Sequence, residues 1–129
     1  MADKIGIELL RLLRDSSGPF KVSIRSVYAE QLEERVRISR YGGVVDELGK
    51  LTSGERKKLL FEEVGKMLRP IWEYLEKQYG LKEGQSFIYD CEIRNVSALL
   101  TRDQIYDLQK QADVGVINTN LQINLPFSQ

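Results

Sequence analysis

Histidine is absent from the 129 residues, cysteine occurs once and proline three times, and 19 lysines and arginines balance 19 aspartates and glutamates. Each scarcity removes a class of function. Without histidine the chain lacks the commonest general base and the commonest metal ligand, which excludes a Ser-His-Asp arrangement and a zinc site built from His and Cys. The single Cys91 has no partner for an intrachain disulfide, in keeping with a reducing compartment. A formal net charge of zero supplies neither a strongly basic nucleic-acid surface nor a polyanionic tail. No run approaches the roughly 20 apolar residues that cross a bilayer, and Met1 to Leu13 mixes apolar and charged residues where a secretory signal has an unbroken apolar stretch. These features predict a cytoplasmic protein with no membrane segment and a length suited to one domain.

What is present is a folded-domain composition, 42% hydrophobic, with patterns that switch period along the chain. Asp3 is placed to cap a first helix whose Ile5, Leu9, Leu10, Leu12 and Leu13 fall on one side, ending before Ser16-Ser17-Gly18-Pro19. It reads as an appendage. From Phe20 the period becomes two, with Phe20, Val22, Ile24, Ser26 and Tyr28 on one face and Lys21, Ser23 and Arg25 on the other. Residues 30–51 read two ways: Arg35 to Tyr41 alternates as a strand does, whereas Gln31 to Glu34 favours helix. Gly42-Gly43 breaks whatever precedes it, and the stretch reads as an insertion.

Thr52 with Glu55 forms a capping box opening a long helix with Leu60, Val64, Met67, Leu68, Ile71 and Leu75 at helical spacing. Glu62 with Lys66 and Glu73 with Lys77 are favourable pairs, Gly80 can end the helix, and Pro70 predicts a kink near Lys66 or two helices. Ser86 to Ile93 alternates again, with Phe87, Tyr89, Cys91 and Ile93 on one face, before an Arg94-Asn95 turn and a second strand through Val96, Ala98 and Leu100. The pair reads as a hairpin. Thr101 with Gln104 is another capping box, for a helix of about three turns with Ile105, Leu108 and Ala112 inward and Arg102, Asp103, Asp107 and Lys110 outward. Val114 to Ile117 gives a last strand, and beyond it Leu121, Ile123, Leu125 and Phe127 alternate with Gln122, Asn124, Pro126 and Ser128.

Strand, helix, strand, strand, helix, strand is the order of a ferredoxin-like βαββαβ fold of the α+β class. Its antiparallel sheet would carry two helices on one face and leave the other face free to dock a partner. The extra N-terminal helix and the enlarged first crossover are additions to that plan. The expected divisions are an N-terminal helical appendage at 1–19, the main domain at 20–120 and an extended tail at 121–129.

The segment from Tyr89 to Asn120 resembles the second half of the subtilisin propeptide-like inhibitor family, a likeness that runs mainly through residues 85–129. It rests on an aromatic strand at Tyr89, a tight turn at Asn95, the Val96-Ser97-Ala98 segment, Leu100-Thr101 opening a helix that carries Ile105 and Leu108, and a closing strand with Val114 and Val116. Asn95-Val96 stands where the family commonly has a glycine. The resemblance implies a folding chaperone or tight inhibitor of a subtilisin-like serine protease. No protease domain follows in this chain, so the implied activity is inhibition in trans, without catalysis and without a cofactor. The open sheet face around Ile88, Asp90 and Glu92 would dock on the protease, and Leu121, Ile123, Leu125, Pro126, Phe127, Ser128 and Gln129 would lie in its substrate cleft by strand addition. Pro126 removes one amide donor and stiffens that tail.

Other readings attach to the same residues. The alternating tail also fits a strand packed on the N-terminal helix or on a second copy, as in a structural or adaptor subunit that forms a homo-oligomer or joins a larger complex. Arg35, Arg37, Arg40 and Tyr41, with Phe87 and Tyr89 on a sheet, would suit an RNA-binding module, although the aromatic motif of such sheets is missing. Asp90, Glu92, Asp103 and Asp107 read as solvated acids, Cys91 as packing, and Trp72, Tyr74 and Tyr79 as core or interface anchors.

Overall fold

The alternation that begins at Phe20 becomes one of the two central strands of a four-stranded antiparallel sheet. The computed structural model describes residues 4–32, 53–90 and 94–120. Its elements are α1 (Ile7–Asp15), β1 (Phe20–Ser26), α2 (Ser53–Tyr79), β2 (Phe87–Asp90), β3 (Asn95–Leu100), α3 (Arg102–Leu108) and β4 (Val114–Thr119). The sheet order is β2-β3-β1-β4. Phe20 stands opposite Leu100, Ile24 opposite both Val96 and Ile117, and Phe87 opposite Ala98. This register puts Val22, Ile24, Phe87, Val96, Ala98, Leu100 and Ile117 on one fully buried face.

Strand β4 does not alternate strictly, because the pairing with β1 shifts between Arg25 and Ser26. Val116 lies opposite Arg25 while Val114 lies opposite Ser26, so Gly115 is the extra residue of a bulge. Val114 and Ile117 therefore both reach the core, three positions apart, and Val116 turns to the other face. Glycine fits the close approach of the strands here: a Cβ at position 115 would stand 3.1 Å from the Ser26 carbonyl oxygen and from the Val27 Cα, so that backbone would have to yield.

Helix α1 is built into this core. Ile5, Leu9 and Leu13 are buried with the sheet residues, while Ile7, on the opposite side of the helix, is 71% exposed. The helix is capped by the backbone of Gly6 with no side-chain bond, and Asp3, the expected cap, lies outside the described residues. Just before α1 the chain runs parallel to β4: the Ile117 amide donates to Lys4 O at 2.7 Å, and the Gly6 amide donates to Ile117 O at 2.9 Å. A Cβ at position 6 would meet the Asn118 carboxamide, the end of an exposed side chain that would have to turn aside.

Helix α2 runs unbroken from Ser53 to Tyr79 with Pro70 inside it, so the two-helix alternative does not occur. Pro70 is exposed, and Val64, Leu68, Ile71 and Leu75 form the buried stripe. Each such side chain contributes roughly 1.5–3 kcal/mol when removed from water. The helix ends as expected at Gly80, whose amide still reaches Glu76 O at 3.1 Å and whose φ of 67° turns the next amide, that of Leu81, back to Leu75 O at 3.3 Å. On the exposed side Glu73 pairs with Arg69 at 2.6 Å and Lys77 at 3.7 Å, the first holding its carboxyl below the usual range. Thr52 lies outside the described residues.

The hairpin forms with a longer connection than expected. Asp90 pairs with Asn95, so Asn95 opens β3 instead of making the turn, and Cys91 to Ile93, expected to continue β2, lie outside the described residues. Arg94 takes the positive φ, 67°, that reverses the chain. Strand β1 likewise stops at Ser26, short of Tyr28: the Ser26 hydroxyl accepts the Tyr28 amide at 3.1 Å and a helical turn follows at 29–32, burying Ala29 and Leu32. The rest of the unassigned stretch, with Arg35, Arg37, Arg40 and Tyr41, lies outside the described residues. The Thr101/Gln104 capping box is present in both directions, at 3.2 and 2.9 Å. Its helix is shorter than its spacing predicts, seven residues, because the chain leaves the helical path after Leu108; Ala112 is exposed rather than inward.

Candidate functional site

The face of the sheet opposite the core is built from residues that the strand period turns away from the helices. Across the strands in register stand Ile88, Ser97, Ser23 and Asn118; beside them run Asn95, Arg25 and Val116 on one flank and Leu99 and Lys21 on the other. None of these side chains is buried, and Ile88 and Asn118 are exposed. The two serines at the centre keep the surface low. The β1–β4 ladder extends one step past Thr119, where the Asn120 amide donates to Lys21 O at 2.9 Å. The Asn120 carboxamide then crosses the face to donate to the Ser97 hydroxyl at 3.3 Å. Asn95 Oδ1 is shielded from solvent and has no hydrogen-bond partner among the described residues.

Of the residues singled out from sequence, Ile88 lies on this face with its side chain exposed, and Asp90 lies in register at its corner, opposite Asn95. Glu92, Cys91 and the tail residues Leu121, Ile123, Leu125, Pro126, Phe127, Ser128 and Gln129 lie outside the described residues. Sequence reasoning did not gather Ser23, Ser97, Asn118 and Asn120 into one surface. The signal was the polar half of each alternating strand, but joining the halves needs the strand order.

Phe87 and Tyr89 are not on this face. Phe87 is fully buried, and Tyr89 stacks on Trp72 of α2 with ring centroids 5.7 Å apart and planes at 11°. They are therefore unavailable to stack bases on the open surface, which removes the main support for an RNA-binding sheet.

The strongest electrostatic perturbations sit on the helical side. Asp107, expected as a solvated acid, instead accepts two phenol hydrogen bonds on one oxygen, from Tyr79 at 2.6 Å and Tyr74 at 2.7 Å. These bonds hold its carboxyl below the usual carboxylate range, the Tyr79 bond having the larger effect. Burial, followed by the bond to Asp107, pushes the Tyr79 phenol far up; for Tyr74 the bond to Asp107 leads. The two phenol bonds keep this carboxyl ionised and clasp α2 to α3. Among the described residues no group of three His, Cys, Asp or Glu side chains is placed to hold a metal ion, and no helix is long and apolar enough to cross a membrane.

These features define a mixed α+β domain with a four-stranded antiparallel sheet and helices packed on its buried face. Comparison with protein-family models, with curated proteins and with solved structures gives no match for this chain.

Proposed function

We propose that the chain is a ferredoxin-like domain that acts as a propeptide-type inhibitor or folding chaperone of a subtilisin-like serine protease, binding in trans and not catalysing a reaction. The sheet order β2-β3-β1-β4 supports the topology. The observation that carries the functional reading is the position of Asn120. It extends β4, touches Ser97 at the middle of the unburied face, and is bonded directly to the alternating segment that begins with Leu121. The unburied face and the segment proposed to lie in the substrate cleft are thus adjacent along the chain, so one partner can engage both.

The test is a titration of the full chain against a panel of subtilisin-like proteases, with a version ending at Asn120 beside it. Inhibition by the full chain that disappears in the shortened but still folded one is the expected outcome. A folded full chain that inhibits none of the panel overturns the reading and leaves the adaptor role in its place.

A further inference from the structure

A groove of about 770 Å³ opens between α1 and α3, two helices whose inward residues join the core. Ile7, Leu10 and Tyr106 give it an apolar lining, and Arg11, Arg14 and Arg102 give it charge. Ile7 is 71% and Tyr106 40% exposed, so two large apolar side chains meet water at the same place. No acidic side chain lines the groove among the described residues, although the whole chain is charge-balanced. Glu8, Asp15 and Asp103 belong to the same two helices and stand outside it.

Arg102 is already positioned. Its guanidinium donates to the Ser16 carbonyl, tying the start of α3 to the chain just after α1, with further N–H groups left for a partner. Arg11 and Arg14 stand one turn apart on α1, a spacing at which like charges repel and a facing pair of carboxylates is attracted.

The geometry points to this groove as the docking site of an acidic amphipathic peptide segment from another protein. Apolar side chains of that segment cover Ile7 and Tyr106, and its carboxylates meet the three guanidinium groups. Tyrosine and arginine are the residue types that concentrate binding energy in such contacts. The surface is separate from the open sheet face and does not depend on the inhibitor reading.

The experiment uses the full chain and a fluorescent synthetic helix-forming peptide with leucines at helical spacing flanked by glutamates. A peptide with lysine at every glutamate position and a scrambled peptide serve as controls. Saturable anisotropy is expected for the glutamate peptide alone, with amide NMR shifts centred on Ile7, Leu10 and Tyr106. Joint Arg11→Glu and Arg14→Glu substitution is expected to weaken binding about tenfold, and Ile7→Ser, at an exposed position, to weaken it without affecting folding. Absence of binding, equal binding of all three peptides, or shifts centred on Ser23 and Ser97 overturns the proposal. So does concentration-dependent self-association abolished by the same arginine substitutions, which assigns the groove to a second copy, or binding to anionic vesicles without binding to the peptide.

Discussion

Tyr79 and Asp107, 28 positions apart, are joined by a 2.6 Å hydrogen bond from the phenol to Oδ2, and the same oxygen accepts the Tyr74 phenol at 2.7 Å. The two rings meet edge to face with centroids 5.5 Å apart, and the Tyr79 hydroxyl is also 3.1 Å from the Gln104 carbonyl. One carboxylate thus fastens the last turns of α2 to α3, a helix of seven residues that is too short to persist alone.

Replacing Tyr79 with phenylalanine is expected to cost about 1 kcal/mol, the net worth of one such bond, and Asp107→Ala about 1–3 kcal/mol because two phenols lose their acceptor. Urea midpoints of the three proteins measure this directly. Identical midpoints would mean that the phenols prefer water.

The same cluster sets a pH dependence at both ends of the scale. The Asp107 carboxyl is depressed on folding, so its stabilisation is present above the unfolded value of about 3.9 and is lost as the pH falls through the lower folded value. Tyr79 is raised, so its stabilisation is complete below the unfolded value of about 10 and is lost as the pH rises from there through the raised folded value. The stability gap between the native chain and Asp107→Ala should close in acid. In alkali the native chain should lose stability more steeply than Tyr79→Phe. Urea midpoints across a pH series that stay parallel for all variants would contradict both.

Two positions on α1 should respond in opposite ways. Leu9 is fully buried and Ile7 is not, so Leu9→Ala is expected to cost about 2–5 kcal/mol and Ile7→Ala less than about 0.5 kcal/mol. Thermal melting distinguishes them, and a mild effect at Leu9 would show that α1 docks weakly.

At the bulge, Gly115→Ala forces a Cβ against the backbone of Ser26 and Val27 at 3.1 Å. An expected cost of about 1–3 kcal/mol follows from moving that backbone, read as a drop in Tm. An unchanged Tm would mean that the β1–β4 register can slip without loss.

Signals complete within a few residues were legible in the sequence. The Thr101/Gln104 box needs four residues, and the burial of Phe20, Val22 and Ile24 needs only the strand period. Features defined by a distant partner were not. Asp107 looks like an outward acid on its own helix, and only the approach of Tyr74 and Tyr79 gives it a role. The displacement of Val116 from the core depends on the register with β1, and Asn95 enters a strand because Asp90 is there to pair with it. For the candidate site, the alternation around Phe87 located Ile88 on the open side, whereas Ser23, Asn118 and Asn120 became its neighbours only through the strand order.

The parallel bridge from Lys4 and Gly6 to Ile117 joins nearly the first described residues to nearly the last. As the chain leaves the ribosome, at roughly 5–20 residues per second, Ile5, Leu9 and Leu13 emerge well before β4 and cannot pack beside it until almost all of the described chain has been made. Closure of this domain therefore follows the synthesis of β4, and α1 precedes the strand that completes its packing.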